Sequence, residues 1–518
     1  DSMGMRNYFA IPFAAPPVGE LRWAPPAPPA SWTAPLANVQ SAAPCLQTSA
    51  SPFRLKNDQE DCLYLDVHAP TGQGPFPVMV WIHGGAFNTG GAVTYADASP
   101  LVSKGVIVVV LAYRMGPLGF LGHPALRAAD GSVGNYGIMD QQAALHWVQD
   151  NIAAFAGDKN NVTIFGESAG GFSVMTHLAS PLSKGLFHKA IVESGGYAFD
   201  RQLKQDMLEA TSTTVVNNAM VAAGVTCATV DAACLRGLPT AVIANQLAVA
   251  FNTAAASPVP SVDGKVLTRS IKDTFAAGDN SHVPVLNGSN EDEYALFIAI
   301  GEIGRRAAAM PPNFDPANTS FSLTATAYPA TLAGLAAGTG LTGPTLMSDG
   351  YYPLTAYGAT AALQPSLGAS AMGTDVVFAC QGLNIAKRVL AQGSPVWSYE
   401  FRDQTALPSV GFDATGNYYL SFSQGAAHSY ELQYLFNLRD LQNDERRALQ
   451  DSMTRYWTNF ARTGDPNQGT APAVAWPAFT GGDKVLGLDV ASGGGIKPLE
   501  LPLETAHRCP TIWTALTF

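Results

Sequence analysis

Ser168 lies in Gly166-Glu-Ser-Ala-Gly170, between a short apolar run, Val162 to Phe165, and a segment with Phe172, Val174, Met175 and Leu178 at helical spacing. Strand, G-x-S-x-G and helix in that order describe a nucleophile elbow. The chemistry dictates the spacing. A serine hydroxyl is a poor nucleophile, so it must stand on a sharp turn within reach of a base. Gly166 and Gly170 lack a Cβ, which lets strand and helix pass close to that turn. The amide of Ala169 points the same way and is placed to donate to an oxyanion.

A serine of this kind needs a base, an acid and an oxyanion hole. Elbow enzymes order their triad as serine, acid, histidine. Of nine histidines, only His428 and His507 lie beyond the acidic cluster Glu291-Asp-Glu293. His428 sits in Gly425-Ala-Ala-His-Ser-Tyr-Glu431, a small-residue loop ahead of the aromatic run Tyr434-Leu-Phe436. Catalytic groups project from such loops, so His428 is favoured over His507, which lies two residues before Cys509. Three carboxylates compete for the acid's place in Gly288-Ser-Asn-Glu-Asp-Glu293, and position alone does not choose among them. His83-Gly-Gly-Ala-Phe87 follows the apolar run Val78 to Ile82, as in the HGGG-type loop of esterases. Gly84 and Gly85 are the expected donors to the oxyanion, and His83 reads as structural.

The elements that must hold these residues are legible as short apolar runs. Pro77 to Ile82 and Val106 to Ala112 suit central parallel strands covered on both faces. Glu60 to Val67 alternates like a half-buried strand. Ala190 to Ser194, Val283 to Gly288 and Val396 to Phe401 read as further strands. Asp140 to Phe155 and Asp440 to Phe460 carry amphipathic helical spacing, the latter ending at Thr463-Gly-Asp-Pro466. The proline-rich start, up to Trp32, reads as extended wrapping with turns. The alternation predicts an α/β protein with a large, mostly parallel central sheet. From about Ile300 to Gly373 the chain is rich in Ala, Gly, Thr and Pro, and reads as helices and loops of a cap.

The chain has 518 residues, 47% hydrophobic and 13% charged, with net charge −11. An acidic chain without a basic run is a poor partner for nucleic acid. No apolar run reaches the ~18 residues that span a bilayer. The six cysteines, Cys45, Cys62, Cys227, Cys234, Cys380 and Cys509, form an even set. Two sequence-close pairs and a distant one read as staples, which implies an oxidising compartment, secreted or periplasmic. None has C-x-x-C spacing, so zinc is not expected, and the triad chemistry needs no metal or cofactor.

Several blocks together resemble a type-B carboxylesterase of the cholinesterase-like α/β-hydrolase superfamily. They are Ile11-Pro-Phe-Ala14 with Pro16-Pro-Val-Gly19 and Leu21-Arg22, Glu60-Asp-Cys-Leu-Tyr64, His83-Gly-Gly-Ala-Phe87, Gly134-Asn-Tyr-Gly137 with Asp140-Gln141, the elbow, and Thr463-Gly-Asp-Pro-Asn467 with Trp476-Pro477. The resemblance implies an α/β-hydrolase fold with helices on both faces of the sheet and a helical cap. It implies one catalytic domain over 1–518, with cap insertions around 200–275 and 300–430. It makes Glu293, in the match to an Asp-Glu-Gly motif, the triad acid, although Tyr294 replaces the family's glycine. Glu167 of the elbow, Ser194 in Glu193-Ser-Gly-Gly196 and Glu431 are expected to support the triad. The resemblance pairs Cys45 with Cys62, Cys227 with Cys234, and Cys380 with Cys509 in Cys509-Pro-Thr-Ile-Trp513.

Two departures bear on function. The segment between Cys45 and Cys62 holds no tryptophan, whereas cholinesterases place a choline-stacking tryptophan there. Cation–π recognition by that residue is absent, which argues against a cholinesterase. Family members also carry more chain before the Ile-Pro-Phe-Ala block, so processing or disorder ahead of Asp1 is expected. The expected activity is hydrolysis of a small-molecule carboxylic ester through an acyl-enzyme. The alternatives are a lipase or an esterase for bulky or polyester-like substrates, and an inactive cholinesterase-like adhesion domain. Oligomeric state and natural substrate are not readable from the sequence.

Overall fold

The computed structural model describes residues 4–510, except 48–54, 56, 58, 198, 200–201, 254–257, 310–311, 338–340, 349, 359, 414, 471, 473 and 482–483. Asp1 and Thr511 to Trp513 of the C-terminal cysteine segment lie outside the described residues. The chain divides into two compact units. The first comprises 1–285, 436–438 and 454–471, and the second 286–435, 439–453 and 472–518.

Six strands make the sheet of the first unit: β1 Met5–Pro12, β2 Tyr64–Pro70, β3 Phe76–Ile82, β4 Ile107–Leu111, β5 Gly157–Glu167 and β6 Lys189–Glu193. Their order is β1-β2-β4-β3-β5-β6. β4, β3, β5 and β6 run parallel, whereas β1 and β2 are antiparallel additions at one edge. The parallel strands read as unbroken apolar runs because both faces are covered: Val78 to Ile82 and Ile107 to Leu111 are buried throughout. Helices Tyr136–Asn151 and Ala169–Ala179 pack on β5. Trp81, Tyr95, Phe165 and Phe436 form an aromatic cluster on the same sheet, with Trp81 and Phe165 ring centroids 4.7 Å apart.

The second unit carries β7 Val285–Asn290, β8 Val396–Phe401, β9 Val485–Leu488 and β10 Lys497–Pro498 in that order, with β8 and β9 parallel and β10 antiparallel. The helix Cys380–Ala391 covers β8. The segment 300–373 holds the end of the helix Ala295–Ala308 together with Tyr328–Leu335 and Gln364–Gly373. Tyr328, Leu332, Leu346, Tyr352 and Met372 form its own small core.

Three expectations shift. The proline-rich start contains a strand, β1, because Met5 to Pro12 finds a pairing edge in β2. The strand expected from Glu60 begins only at Tyr64. Glu60 is taken by a buried ion pair with Arg22 and Cys62 by a disulfide, which hold 60–63 out of the ladder. The helix expected from Asp140 starts earlier, at Tyr136, where Asn135 adopts φ 57° and anchors both ways to Ser261. Asparagine tolerates that left-handed conformation.

Disulfides join Cys45 to Cys62, Cys227 to Cys234 and Cys380 to Cys509. They are consistent with an oxidising environment. Among the described residues no helix is long and apolar enough to cross a membrane.

A buried ion pair anchors the end of the helix Ala295–Ala308. Arg306 and Glu302, one turn apart and both fully buried, approach to 2.7 Å. Ser421 donates twice to Glu302, while Arg306 donates to the carbonyls of Asp315 and Asn318. Removing one member leaves the other charge buried and uncompensated, which costs about 3–5 kcal/mol. Arg306→Met is therefore expected to lower the midpoint of chemical denaturation strongly. Glu302→Leu with Arg306→Met should recover part of that loss. Equal losses in both variants would assign the cost to the carbonyl contacts of Arg306 rather than to the ion pair.

Candidate active site

Ser168 follows β5 directly and precedes the helix Ala169–Ala179. Its backbone sits at φ 56° and ψ −122°, a conformation rare for a residue with a Cβ. The neighbours explain how the chain reaches it. A Cβ on Gly170 would lie 1.9 Å from the Ile82 carbonyl oxygen, and one on Gly166 would lie 2.6 Å from the same atom. Gly171 and Gly195 also press backbone to backbone, at distances that exclude a side chain on either. The amide of Ser168 donates to the Glu193 carbonyl at 2.9 Å, which ties the turn to β6.

The loop after β3 is fixed through its carbonyls. Tyr113 donates to the His83 carbonyl at 2.8 Å, His83 Nδ1 to that of Gly84 at 2.8 Å, and the Asn88 and Thr89 amides to that of Gly85. With the carbonyls so engaged, the amides of Gly84, Gly85 and Ala169 have no acceptor among the described residues. A Cβ on Gly84 would stand 3.1 Å from Ser168 Cβ, so the glycine backbone lies against the serine. Burial pushes the His83 imidazole down to about 4, so it is a neutral ring stacked on Tyr113. It does structural work.

Asp140 and Gln141 act behind the elbow. Asp140 accepts from the Arg114 amide and guanidinium in a fully buried pair at 2.8 Å. Gln141 donates to Ser173 and accepts from His177, both on the helix that follows Ser168. Burial pushes His177 down to about 3, so this network is uncharged. Glu167 and Ser194 are both buried, and Ser194 shares a left-handed backbone at φ 49°.

In the second unit the three competing carboxylates separate. Glu291 pairs with Arg402 at 2.6 Å. Asp292 accepts from Gln404 and from the Ala426 amide. Glu293, fully buried, accepts from His428 Nδ1 at 2.5 Å and from the Asn290 amide at 2.8 Å. Asn290 also donates to the Ala427 carbonyl and to Glu431, so it braces both sides of the histidine loop. Tyr294 takes the place of a glycine without strain: its backbone is right-handed helical, and its ring fills space left by the absent Cβ of Gly373.

Asn290, Phe297 and Phe378 contact Glu293 or His428 and carry no part in the sequence motifs. The two rings pack on the His428 imidazole with centroids 5.3 and 4.7 Å away. Phe378 comes from a π-helical turn, Thr374–Ala379, a distortion that often marks functional sites. Only Phe297 carried a signal, standing four residues after Glu293. Tyr197, stacked on Phe172, was missed as well; burial and the nearby Glu167 push its phenol well up.

His507 is an ion-pair partner in the second unit. It lies between Asp375 at 2.6 Å and Glu400 at 2.6 Å. Burial opposes its charge, but hydrogen bonds to the two carboxylates outweigh that and hold it up at about 10.

The carboxylesterase family model matches residues 1–492. The chain is similar to a pyrethroid hydrolase, Ces2e, of Rattus norvegicus, at 34% identity over 94% of this chain and 82% of the relative. It is 32% identical to the fumonisin B1 esterase of Sphingopyxis macrogoltabida, over 95% of this chain and 85% of that protein. A solved PNB esterase matches with TM-score 0.72 and 31% identity, covering 96% of this chain and 94% of its own. The fold is that of the α/β-hydrolases.

Two outcomes follow from the geometry. His507→Ala removes the cation that Asp375 and Glu400 share and leaves them Arg508 at 3.5 Å and Arg402 at 3.4 Å, at a cost of about 1.5–3 kcal/mol near neutral pH. Because the folded value is raised, the wild-type advantage is full below pH 6.5 and disappears as pH rises through about 10. Denaturation midpoints of both proteins across that window check it. Phe378→Ala is expected to lower kcat/KM by about 2- to 13-fold, the equivalent of one aromatic contact, and Phe378→Leu by less, both read in steady-state kinetics.

Proposed function

The chain belongs to the carboxylesterase family, and from that premise we propose that Ser168, His428 and Glu293 carry its hydrolysis of carboxylic esters. The observation that carries this reading is the buried bond from His428 Nδ1 to Glu293. It commits the Nδ1 proton to the carboxylate and leaves Nε2 as the basic nitrogen, the arrangement a serine base requires.

Ser168 Oγ attacks the ester carbonyl carbon and gives its proton to His428 Nε2. The tetrahedral oxyanion accepts hydrogen bonds from the amides of Gly84, Gly85 and Ala169. As the carbon–oxygen bond breaks, the leaving alcohol takes the proton from His428. Water then attacks the acyl-enzyme, passes a proton to His428, and the acid leaves as Ser168 recovers its own. Glu293 holds the imidazole in one tautomer and stabilises its charged form. Glu167, Ser194 and Glu431 support the groups that react. The whole chain, 1–518, acts as one catalytic domain, with caps around 200–275 and 300–430, in a secreted or periplasmic setting.

The substrate differs among the relatives, one named for pyrethroids and another for fumonisin B1. The low charge of 300–373 favours a second reading, an esterase for bulky or polyester-like substrates. Five charged residues lie in that segment, and Glu302 and Arg306 among them neutralise each other inside.

Ser168→Ala and His428→Ala are each expected to cut turnover of a short-chain ester by on the order of 10⁴- to 10⁶-fold. Wild type should release a stoichiometric burst of alcohol from an activated ester. Undiminished turnover by Ser168→Ala would sink the assignment, and an absent burst would favour an inactive domain. Activity that rises beyond medium acyl chains would support the bulky-substrate reading.

A further inference from the structure

Glu293 and His428 are separated by 135 positions, so something must hold their two loops in register. The Asp292 amide donates to the Ala426 carbonyl at 3.1 Å, and the Ala426 amide donates back to Asp292 Oδ2 at 3.1 Å. One residue further along the acid loop, the His428 amide donates to the Glu293 carbonyl at 3.3 Å. The single Asp292 side-chain oxygen that takes Ala426 also takes Gln404 Nε2 at 2.6 Å, and Gln404 reaches Glu291 at 2.8 Å.

On the Gly425 side the packing is tight. Gly425 turns the chain at φ 60°, and a Cβ on it would fall 2.4 Å from Asp292 Oδ2 and 2.5 Å from Gln404 Oε1. The carboxylate is thus packed against the first residue of the turn and bonded to the second, two residues before the imidazole. Its other side borders a cavity of about 780 Å³ lined also by Glu291, Gln404 and Gly425. A smaller side chain at 292 therefore creates no sealed void.

We propose that Asp292 is a positioning residue, whose carboxylate latches the His428 loop to the acid loop and so keeps the imidazole on Glu293. The inference rests on the reading of His428 as the base. Loss of the latch lets the loop move while leaving the Glu293 and His428 side chains intact. A displacement of about 1 Å at a reacting group costs on the order of 100-fold in rate.

The test is steady-state kinetics of Asp292→Ala and Asp292→Asn beside wild type, Ser168→Ala and His428→Ala, with thermal midpoints measured on each. Asp292→Ala is expected to lose about 10- to 100-fold in kcat with KM changed by less than about 2-fold. Asp292→Asn keeps an acceptor oxygen for both donors and should return to within about 3-fold of wild type. Gln404→Leu, which removes one donor and leaves the carboxylate, should lose a few-fold in kcat at constant KM. It serves if Asp292→Ala does not fold. Wild-type kcat in Asp292→Ala, or equal losses in Asp292→Ala and Asp292→Asn, would overturn the proposal while losses in Ser168→Ala and His428→Ala left the triad standing. Full turnover by His428→Ala would overturn the base assignment, and the latch with it.

Discussion

Everything in the first unit is arranged around one backbone turn that has no space for side chains. Ser168 is held at positive φ, a conformation that costs of the order of 1–3 kcal/mol for a residue with a Cβ. The surrounding sheet sustains that cost. β5 is anchored between β3 and β6, with Val78 to Ile82 of β3 and the end of β5 buried. Four glycines let β3, the turn, the following helix and the end of β6 meet backbone to backbone. The same closeness brings the Gly84 backbone against the serine. The strain at Ser168 and the close approach of the Gly84 backbone are therefore two consequences of a single steric constraint.

The second unit solves a different problem, which is to place a charged group in the interior without stranding it. Glu293 is fully buried and is satisfied by two donors, one from its own loop and one from the histidine. Around it, Asn290 distributes its amide between Ala427 and Glu431, and Arg402 and Gln404 absorb the charge of Glu291 and Asp292. A half-satisfied network of buried charge would be worse than an apolar core. Each of these carboxylates has a donor, so the unit tolerates three acidic residues in a row.

Charge elsewhere follows the same rule. Arg22 with Glu60 and Arg114 with Asp140 are buried pairs that join separate segments, and Arg306 with Glu302, on one helix, reaches others through Asp315, Asn318 and Ser421. His507 between two carboxylates does this with an imidazolium. In a chain where only 13% of residues are charged, many of the interior charges serve as connectors. Such pairs specify which segments meet more than they add net stability.

The elbow, the His83 loop and the parallel strands were legible in the sequence, because each depends on local sterics or on the hydrophobic period of a single element. A strand, a glycine-flanked serine and a helix leave a pattern within ten residues. The choice among Glu291, Asp292 and Glu293 was not legible from the residues themselves, and only resemblance pointed to Glu293. Adjacent side chains of one loop point different ways, and their partners, Arg402, Gln404, Ala426 and His428, lie more than a hundred positions away. The rings of Phe297 and Phe378 escaped notice for the same reason, one on a helix and the other on a π-turn, meeting at an imidazole supplied by a third segment. The start of β1 and the true start of β2 were likewise decided by pairing and by a distant arginine. What the sequence alone determined is therefore the strand, turn and helix that present Ser168, since that is written in backbone sterics. The tertiary structure alone decided which carboxylate holds His428 and what holds its loop, because those depend on contacts between segments that no local pattern records.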